Sequence, residues 1–285
     1  MPVLLEEKGS RMSLFVIDRK KCKRDAICAA ECPTKIIQLK SKESFPEPIE
    51  NAEEYCVNCG HCVAVCPQGA LSHKTMGPEV CPDVRSELLP SAEQIDHFLR
   101  SRRSIRTFKA EPLDRETLLE LIDIARYGPT PHNLQPVQWL VIEHKERINH
   151  FAGIVIDWMR FMIEKAPDIA GPMHFDRAVE AWESGVDRVL RSAPHLIVAY
   201  GDASLTATQT SCVIALTYLE LAAYARGLGA CWAGYFNAAA GFYRPMQEAL
   251  ALPKGHQTFG AMMVGRPKYR YHRIPIRNEA AVEWR

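Results

Sequence analysis

Residues 56–67 read CVNCGHCVAVCP, with four cysteines spaced C-x2-C-x2-C-x3-C in front of a proline. Residues 22–33, CKRDAICAAECP, repeat this spacing with Asp25 in the place of the second cysteine. Soft thiolates this close together indicate iron–sulfur clusters, and in this spacing the fourth cysteine of each run binds the cluster of the other run. The pattern therefore predicts two sets of ligands, one made of Cys32, Cys56, Cys59 and Cys62, the other of Cys22, Asp25, Cys28 and Cys66.

Two other uses of these cysteines fit the sequence less well. A zinc module normally shows two ligand pairs separated by a longer loop, not three close cysteines and a fourth before proline. A disulfide framework suits small secreted chains, and the first ten residues, MPVLLEEKGS, lack the apolar core of a signal peptide. We therefore expect a cytoplasmic protein whose cysteines are reduced and bind clusters.

Asp25 is the departure from the cysteine pattern. A carboxylate oxygen is a harder and weaker ligand for cluster iron than a thiolate, so this corner is expected to be the labile one. Four outcomes are open: Asp25 ligates a 4Fe-4S cluster, the cluster is 3Fe-4S and lacks this corner, the two forms exchange, or Asp25 only faces solvent. The other cluster is expected to be 4Fe-4S.

Length and composition restrict the function classes. The chain has 285 residues, a net charge of +1 and 47% hydrophobic residues, which indicates a packed core and no nucleic-acid partner. The most apolar run, residues 211–225, is interrupted by Thr217 and Glu220 and is too short for a membrane span. We expect a small domain over residues 1–80, a linker over 81–90 and a larger domain over 91–285.

After Pro90 the pattern changes to long helices and short apolar strands. Ser91 with Gln94 predicts a capping box at the start of one helix, and Asp114 predicts the cap of a second. Residues 207–226 predict a strongly apolar central helix. Buried strands are predicted at residues 139–143, 195–200 and 259–264.

Three segments of the larger domain carry chemistry. Residues 102–106, RRSIR, offer guanidinium groups for phosphate or ring carbonyls, although a basic cluster by itself is usually a solvated surface. Residues 127–136, YGPTPHNLQP, form a loop with two amides, or an ordinary helix-to-strand connection. Residues 227–234, GLGACWAG, allow close backbone approach to a flat ligand. They follow a helix, so they are not the dinucleotide-binding fingerprint.

Together these motifs resemble two known families. Residues 12–73 resemble a bacterial-type two-cluster ferredoxin, and residues 91–285 resemble the FMN-dependent nitroreductases, most specifically through RRSIRTF and PTPHNLQP. The resemblance implies an α+β fold, in which a ferredoxin-like domain is fused to a nitroreductase-like domain with a central sheet flanked by helices. It also implies a homodimer with FMN in a cleft between the subunits.

The resemblance assigns roles by position. The phosphate, ribityl chain and ring edge of FMN would contact Arg102, Arg103, Ser104 and Arg106, with Arg273 as a further phosphate-binding residue. The flavin would also be reached, from the partner subunit, by Pro129, Thr130, Asn133 and Gln135. The backbone at Ala233 and Gly234 would face the flavin ring. No catalytic side chain is identified, because the chemistry takes place on FMN.

The whole chain is thus expected to be an oxidoreductase in which clusters pass electrons to FMN for reduction of a small nitroaromatic or quinone acceptor. The donor is expected to be reduced ferredoxin or another low-potential carrier. One alternative takes electrons from NAD(P)H directly and gives the clusters a regulatory role. Another is a non-catalytic electron carrier or cluster-based sensor.

Overall fold

A computed structural model describes residues 13–285. By the contacts within it the chain divides into two units, of which the first runs to Leu89 and includes His132–Leu134. The second unit comprises Pro90–Pro131 and Gln135–Arg285.

The first unit consists of short elements. Its strands are β1 (Phe15–Ile17), β2 (Ile37–Gln38), β3 (Glu47–Pro48) and β4 (Leu71–His73), and its helices are α1 (Ile27–Glu31), α2 (Ala52–Tyr55) and α3 (His61–Ala64). β1 pairs with β4 and β2 pairs with β3, both antiparallel. The unit has a small apolar core that includes Phe15, Ile36 and Leu71. Since elements this short bury little surface, the predicted clusters, once bound by the cysteines, should add to the stability of the unit.

The second unit is larger and contains most of the apolar core. Its helices are α4 (Ala92–Ser101), α5 (Arg115–Ala125), α6 (Lys145–Lys165), α7 (Pro167–Ala170), α8 (Phe175–Glu183), α9 (Ala207–Ala225), α10 (Gly234–Phe242) and α11 (Arg244–Leu250). Its strands are β5 (Gln138–Ile142), β6 (His195–Asp202), β7 (Gly229–Trp232) and β8 (His256–Gly265). The strands form one antiparallel sheet in the order β5-β6-β8-β7.

Both faces of this sheet are covered, which explains the continuous apolar runs of β6 and β8. Leu196 and Val198 of β6 belong to the core that contains residues of α6, α8 and α10. The alternate residues Ile197 and Ala199 belong to the opposite core, with residues of α5 and α9. Because side chains of a strand alternate in direction, each central strand supplies both cores. The predicted α+β class, with a sheet flanked by helices, is confirmed.

The predicted elements are also confirmed at their main positions. Ser91 accepts from the Gln94 N–H at 3.2 Å while the Gln94 side chain accepts from the Ser91 N–H at 2.8 Å, which is the capping box of α4. Asp114 accepts from the Thr117 N–H at 2.7 Å at the start of α5. The three predicted strands and the central helix occur within a few residues of their expected bounds. Among the helices of residues 13–285, none has the length and apolar content that crossing a bilayer requires.

Candidate functional site

The first unit contains two cavities that are each lined by sulfur ligands. One is lined by Cys32, Cys56, Cys59 and Cys62. The other is lined by Cys22, Asp25, Cys28 and Cys66. The structure therefore brings together the two sets in which each run lends its last cysteine to the other. We call these the first cage and the Asp25 cage.

Local backbone geometry holds the ligands around each cage. Gly60, with φ of 73°, lies between Cys59 and Cys62 and begins α3. A Cβ at Gly60 would lie 2.7 Å from the Met76 sulfur, and its residue would have to adopt the left-handed backbone conformation, which favours glycine here. The Ala70 N–H donates to the Cys66 sulfur at 3.2 Å.

Electrostatics within the cages favours a bound cation. The pKa of the Cys62 thiol is raised to about 11, mainly by burial and in smaller part by repulsion from Cys59, Cys32 and Cys56. Burial likewise raises the pKa of Cys28, with Cys66, Cys22 and Asp25 adding repulsion. Thiolates crowded in this way become stable only when a positive group lies among them. The donor set therefore fits iron–sulfur clusters.

A single bound metal ion fits the cages less well. Across residues 13–285, no three His, Cys, Asp or Glu side chains converge closely enough to hold one ion. A cluster of several irons and sulfides holds its ligands at the corners of a larger cage than one ion does, so four separated thiols are the arrangement that it requires.

Asp25 lies at the exposed edge of its cage. Its Oδ1 accepts from the Ile27 N–H at 3.3 Å, which fixes the carboxylate beside the start of α1. Asp25 lines the cavity together with Cys22, Cys28 and Cys66, so this position is compatible both with a ligand of the cluster and with a carboxylate that faces solvent.

In the second unit, the RRSIR segment runs beside β7. The Ile105 N–H donates to the Ala230 carbonyl oxygen at 2.9 Å. The Ile105 side chain lies so close to Gly229 that a Cβ there would come within 2.7 Å of it. This pair of contacts fixes the segment that carries Arg102, Arg103, Ser104 and Arg106.

Arg102 is held by a buried acid. Its Nη1 donates to Oε1 of Glu220 on α9 at 2.7 Å, and Glu220 is 7% exposed. Burial raises the pKa of Glu220, whereas the charge and hydrogen bond of Arg102 lower it. Removing Arg102 would leave the buried carboxyl group of Glu220 without a compensating charge.

A cavity of about 790 Å³ opens in the second unit. Its apolar wall comes from α6, α8, α10 and the end of β7, including Trp158, Met162, Phe175, Trp232 and Tyr235. A wall of flat and flexible apolar side chains suits a planar ring.

The polar end of this cavity is formed by three arginines, Arg106, Arg188 and Arg191. A second cavity of about 640 Å³ is lined by the same three arginines, together with Thr107, Glu143 and Lys145. The same three arginines therefore line both cavities. Always-charged planar forks at this position suit a phosphate or the carbonyl edge of a ring.

Sequence reasoning missed Arg188 and Arg191. They lie on a loop ordered by Asp187, whose carboxylate accepts from the N–H groups of Val189 at 2.8 Å, Leu190 at 2.9 Å and Ser192 at 2.9 Å. Arg191 adopts a left-handed conformation, with φ of 58°. The available signal was an aspartate followed by two arginines just before a buried strand, a weak pattern by itself.

Gly234 and Ala233 differ in their access to the cavity. Gly234 lines it at the first turn of α10, where backbone N–H groups have no partner within the helix. Ala233 is 2% exposed, and its N–H donates to the Ala261 carbonyl oxygen at 2.9 Å. Of the two residues predicted to face the flavin ring, only Gly234 therefore has a backbone N–H available to a ligand.

The other predicted flavin contacts lie away from the cavity lining. Thr130 Oγ1 accepts from the Gln135 N–H at 3.1 Å within the amide loop. His132, Asn133 and Gln135 have φ values of 50°, 54° and 46°, a cluster of left-handed residues of the kind that functional loops retain. Asn133 groups with the first unit. Pro129 belongs to the same loop and Arg273 to the exposed C-terminal tail.

Comparisons with known proteins agree with both units. Residues 99–266 match the nitroreductase family, and residues 9–70 match the 4Fe-4S dicluster domain. A 5,6-dimethylbenzimidazole synthase of Rhodospirillum rubrum is 25% identical over 193 residues, 64% of this chain and 85% of that protein. A protein named ferredoxin 7Fe from Hydrogenibacillus schlegelii is 34% identical over 56 residues, 20% of this chain and 65% of its own length.

A solved structure shares the fold of the second unit. The nitroreductase with bound FMN from Bacteroides fragilis superposes with a TM-score of 0.55 at 15% identity, covering 67% of this chain and 99% of that one. The family match spans more than half of the sequence and follows the dicluster match along the chain. The chain therefore belongs to the nitroreductase family and carries a 4Fe-4S dicluster ferredoxin domain in front of its nitroreductase domain.

Proposed function

We propose that this protein is an FMN-dependent oxidoreductase in which two iron–sulfur clusters supply electrons to the flavin for two-electron reduction of a small acceptor. One chain combines two thiolate cages with a cavity that has an apolar wall and three arginines, and this combination carries the proposal. A cluster passes one electron at a time whereas FMN can hold two, so their union converts single-electron supply into two-electron reduction. No catalytic side chain is required.

The chain's own residues bind and orient the flavin. Arg106, Arg188 and Arg191 supply positive charge at the polar end of the cavity, and the first turn of α10 at Gly234 supplies a backbone donor. By resemblance, Arg102, Arg103, Ser104 and Arg273 hold the phosphate and ribityl chain. Pro129, Thr130, Asn133 and Gln135 belong to the partner subunit's contribution in the proposed homodimer.

The apolar wall indicates the class of acceptor. Trp158, Phe175 and Tyr235 offer aromatic surfaces of the kind that pack on a flat molecule. We propose electron-poor planar acceptors, such as nitroaromatics and quinones. The Bacteroides fragilis relative is named a nitroreductase, which agrees with this class.

Anaerobic kinetics test the direction of electron flow. The full chain with its clusters and flavin is mixed with a reduced viologen or with NADPH, and bleaching of the flavin band is followed together with acceptor reduction. We expect the viologen to reduce the flavin faster in the full chain than in residues 90–285 alone. Equal rates in the two proteins would refute electron transfer from the clusters to the flavin. Faster bleaching of the flavin by NADPH than by the viologen would favour direct reduction by NAD(P)H.

The Asp25 cage is proposed to hold the cluster with the weaker corner. The name ferredoxin 7Fe states seven irons for that relative, a content that one three-iron and one four-iron cluster supply together. In Asp25→Cys we expect a gain of iron per chain and loss of the EPR signal of an oxidised three-iron cluster, because thiolate binds the fourth iron more firmly. Unchanged iron content, EPR spectrum and reduction potential would show that Asp25 has no special role.

A further inference from the structure

The loop that leads into the Asp25 cage is strongly basic. Its sequence over residues 19–24 is RKKCKR, and every basic side chain in it is exposed. Lys23 itself lines the cavity of the cage. We call this surface the basic rim, defined by Arg19, Lys20, Lys21, Lys23 and Arg24.

The basic rim has a fixed backbone. Oδ1 of Asp18 accepts from the N–H groups of Lys20 at 2.9 Å and Lys21 at 3.3 Å. The Asp18 carbonyl oxygen accepts from the Cys22 N–H at 2.9 Å, and the Asp18 N–H donates to Ala70 at 2.8 Å. The loop is therefore tied to the paired strands β1 and β4, so its charges keep a defined position beside the cage.

Two members of the rim are partly neutralised. Arg24 lies 3.3 Å from the Glu43 carboxylate and also donates to the Glu43 carbonyl oxygen at 2.9 Å. Lys21 has a long ion pair of 4.0 Å with Asp18. Arg24 and Arg19 both lie over the ring of Phe45, at 4.9 and 5.3 Å, which orders the two guanidinium groups on one aromatic surface.

The other three members of the basic rim keep their charge unpaired among residues 13–285. Within the part of the chain that the structure describes, Arg19, Lys20 and Lys23 have no carboxylate in ion-pair range. The net charge of the whole chain is only +1, so this concentration is local. The surface before Cys56 has the opposite sign, because Glu50, Glu53 and Glu54 are exposed there and, in the structure from residue 13 onward, only Glu53 of the three is paired, with Lys74 at 3.4 Å.

We propose that the basic rim is the docking surface of an acidic one-electron carrier protein, which reduces the cluster of the Asp25 cage first. This inference rests on the proposed function and specifies where electrons enter. The carrier loses one electron and the cluster in the Asp25 cage gains it. Exposed lysines around a redox centre increase the encounter rate with a partner of opposite charge, and the effect weakens as salt screens it.

The test compares two double variants of the full, cofactor-loaded chain. Lys20→Glu with Lys23→Glu reverses charge on the basic rim. Lys165→Glu with Lys254→Glu makes the same change in net charge at exposed positions of the second unit. Chemically reduced ferredoxin with an acidic surface is the protein donor, and reduced viologen is the small donor. Second-order reduction rates are measured by anaerobic stopped flow at low and high salt.

We expect the rim variant to lose about tenfold or more in rate with the acidic ferredoxin at low salt. Its salt dependence should flatten, while its reduction by viologen and its bound flavin stay as in the unmodified protein. The control variant should match the unmodified protein with both donors.

Two results would overturn the docking proposal while leaving the proposed function intact. One is a rim variant with the unmodified rate and salt slope. The other is unmodified protein that viologen reduces through its clusters but ferredoxin does not reduce. If neither donor reduces the flavin of the full chain faster than that of residues 90–285, the proposed function fails as well.

Discussion

His195, at the start of β6, is buried with one of its two ring nitrogens bonded. It is 1% exposed, and its Nε2 accepts from the Leu113 N–H at 2.7 Å. The ring proton therefore lies on Nδ1, for which residues 13–285 provide no partner. Burial lowers the pKa of His195, and a second proton on Nε2 would also oppose the Leu113 donor.

This geometry predicts an acid-side loss of stability. Between the lowered pKa of the folded state and the ordinary value of about 6.5, the unfolded chain binds more protons, so the free energy of unfolding falls as pH decreases through that window. We expect His195→Gln, which keeps an acceptor for Leu113, to show a flatter dependence below about pH 6.5. Urea unfolding of both proteins across this range measures the difference. If both proteins lost the same free energy of unfolding as pH decreases, His195 would not be the group responsible.

Among the elements, β7 determines where the RRSIR segment lies. Gly229 packs against the Ile105 side chain, and the Ala230 carbonyl oxygen accepts a hydrogen bond from the Ile105 N–H. β7 therefore acts as a template, because these two contacts position the neighbouring arginines of the segment. The segment has no regular secondary structure over most of its length. Its position therefore depends on these contacts.

Gly229→Ala should displace the arginine segment. A Cβ at 2.7 Å from Ile105 forces that side chain to move, which we expect to cost about 1–3 kcal/mol of stability and to lower flavin content. The control is Gly241→Ala on α10, where a Cβ meets nothing within 4 Å. Because alanine favours a helix, this control should be neutral or slightly stabilising. Bound flavin per chain and urea unfolding are the measurements, and normal flavin content in Gly229→Ala would refute the template role.

At the scale of the whole molecule, the C-terminal tail exposes large apolar side chains. No helix or strand follows Tyr271, yet Ile276 is 96% exposed and Trp284 is 91% exposed. We expect a partner chain to cover these apolar groups, because exposed apolar surface is more stable when it is buried. The predicted homodimer offers such a chain, since the partner subunit presents the same surfaces.

Removal of residues 271–285 should therefore weaken the dimer. We expect the full chain to have the mass of a dimer in light scattering and the shortened chain to shift toward the mass of a monomer. Flavin content should fall in parallel, because Arg273 is removed with the tail. A full chain that stays monomeric over the whole concentration range would contradict the homodimer. A shortened chain that remains dimeric would contradict only the role of the tail.

Patterns in the sequence were enough to predict the family of both domains, the two cysteine runs, and the main helices and strands. These features depend on residues near one another in the chain, such as Ser91 with Gln94 in the capping box. Local spacing is therefore sufficient to predict them.

The three-dimensional fold was needed to show that Arg106, Arg188 and Arg191 line one cavity. It was also needed to show that the N–H of Ala233 is already bonded, which leaves Gly234 as the backbone donor. The three arginines come from two distant segments, and the loop ordered by Asp187 carries two of them, Arg188 and Arg191. The Ala233 N–H is taken by Ala261 of β8. Such contacts follow from the order in which strands pair and helices pack, which a local pattern does not contain.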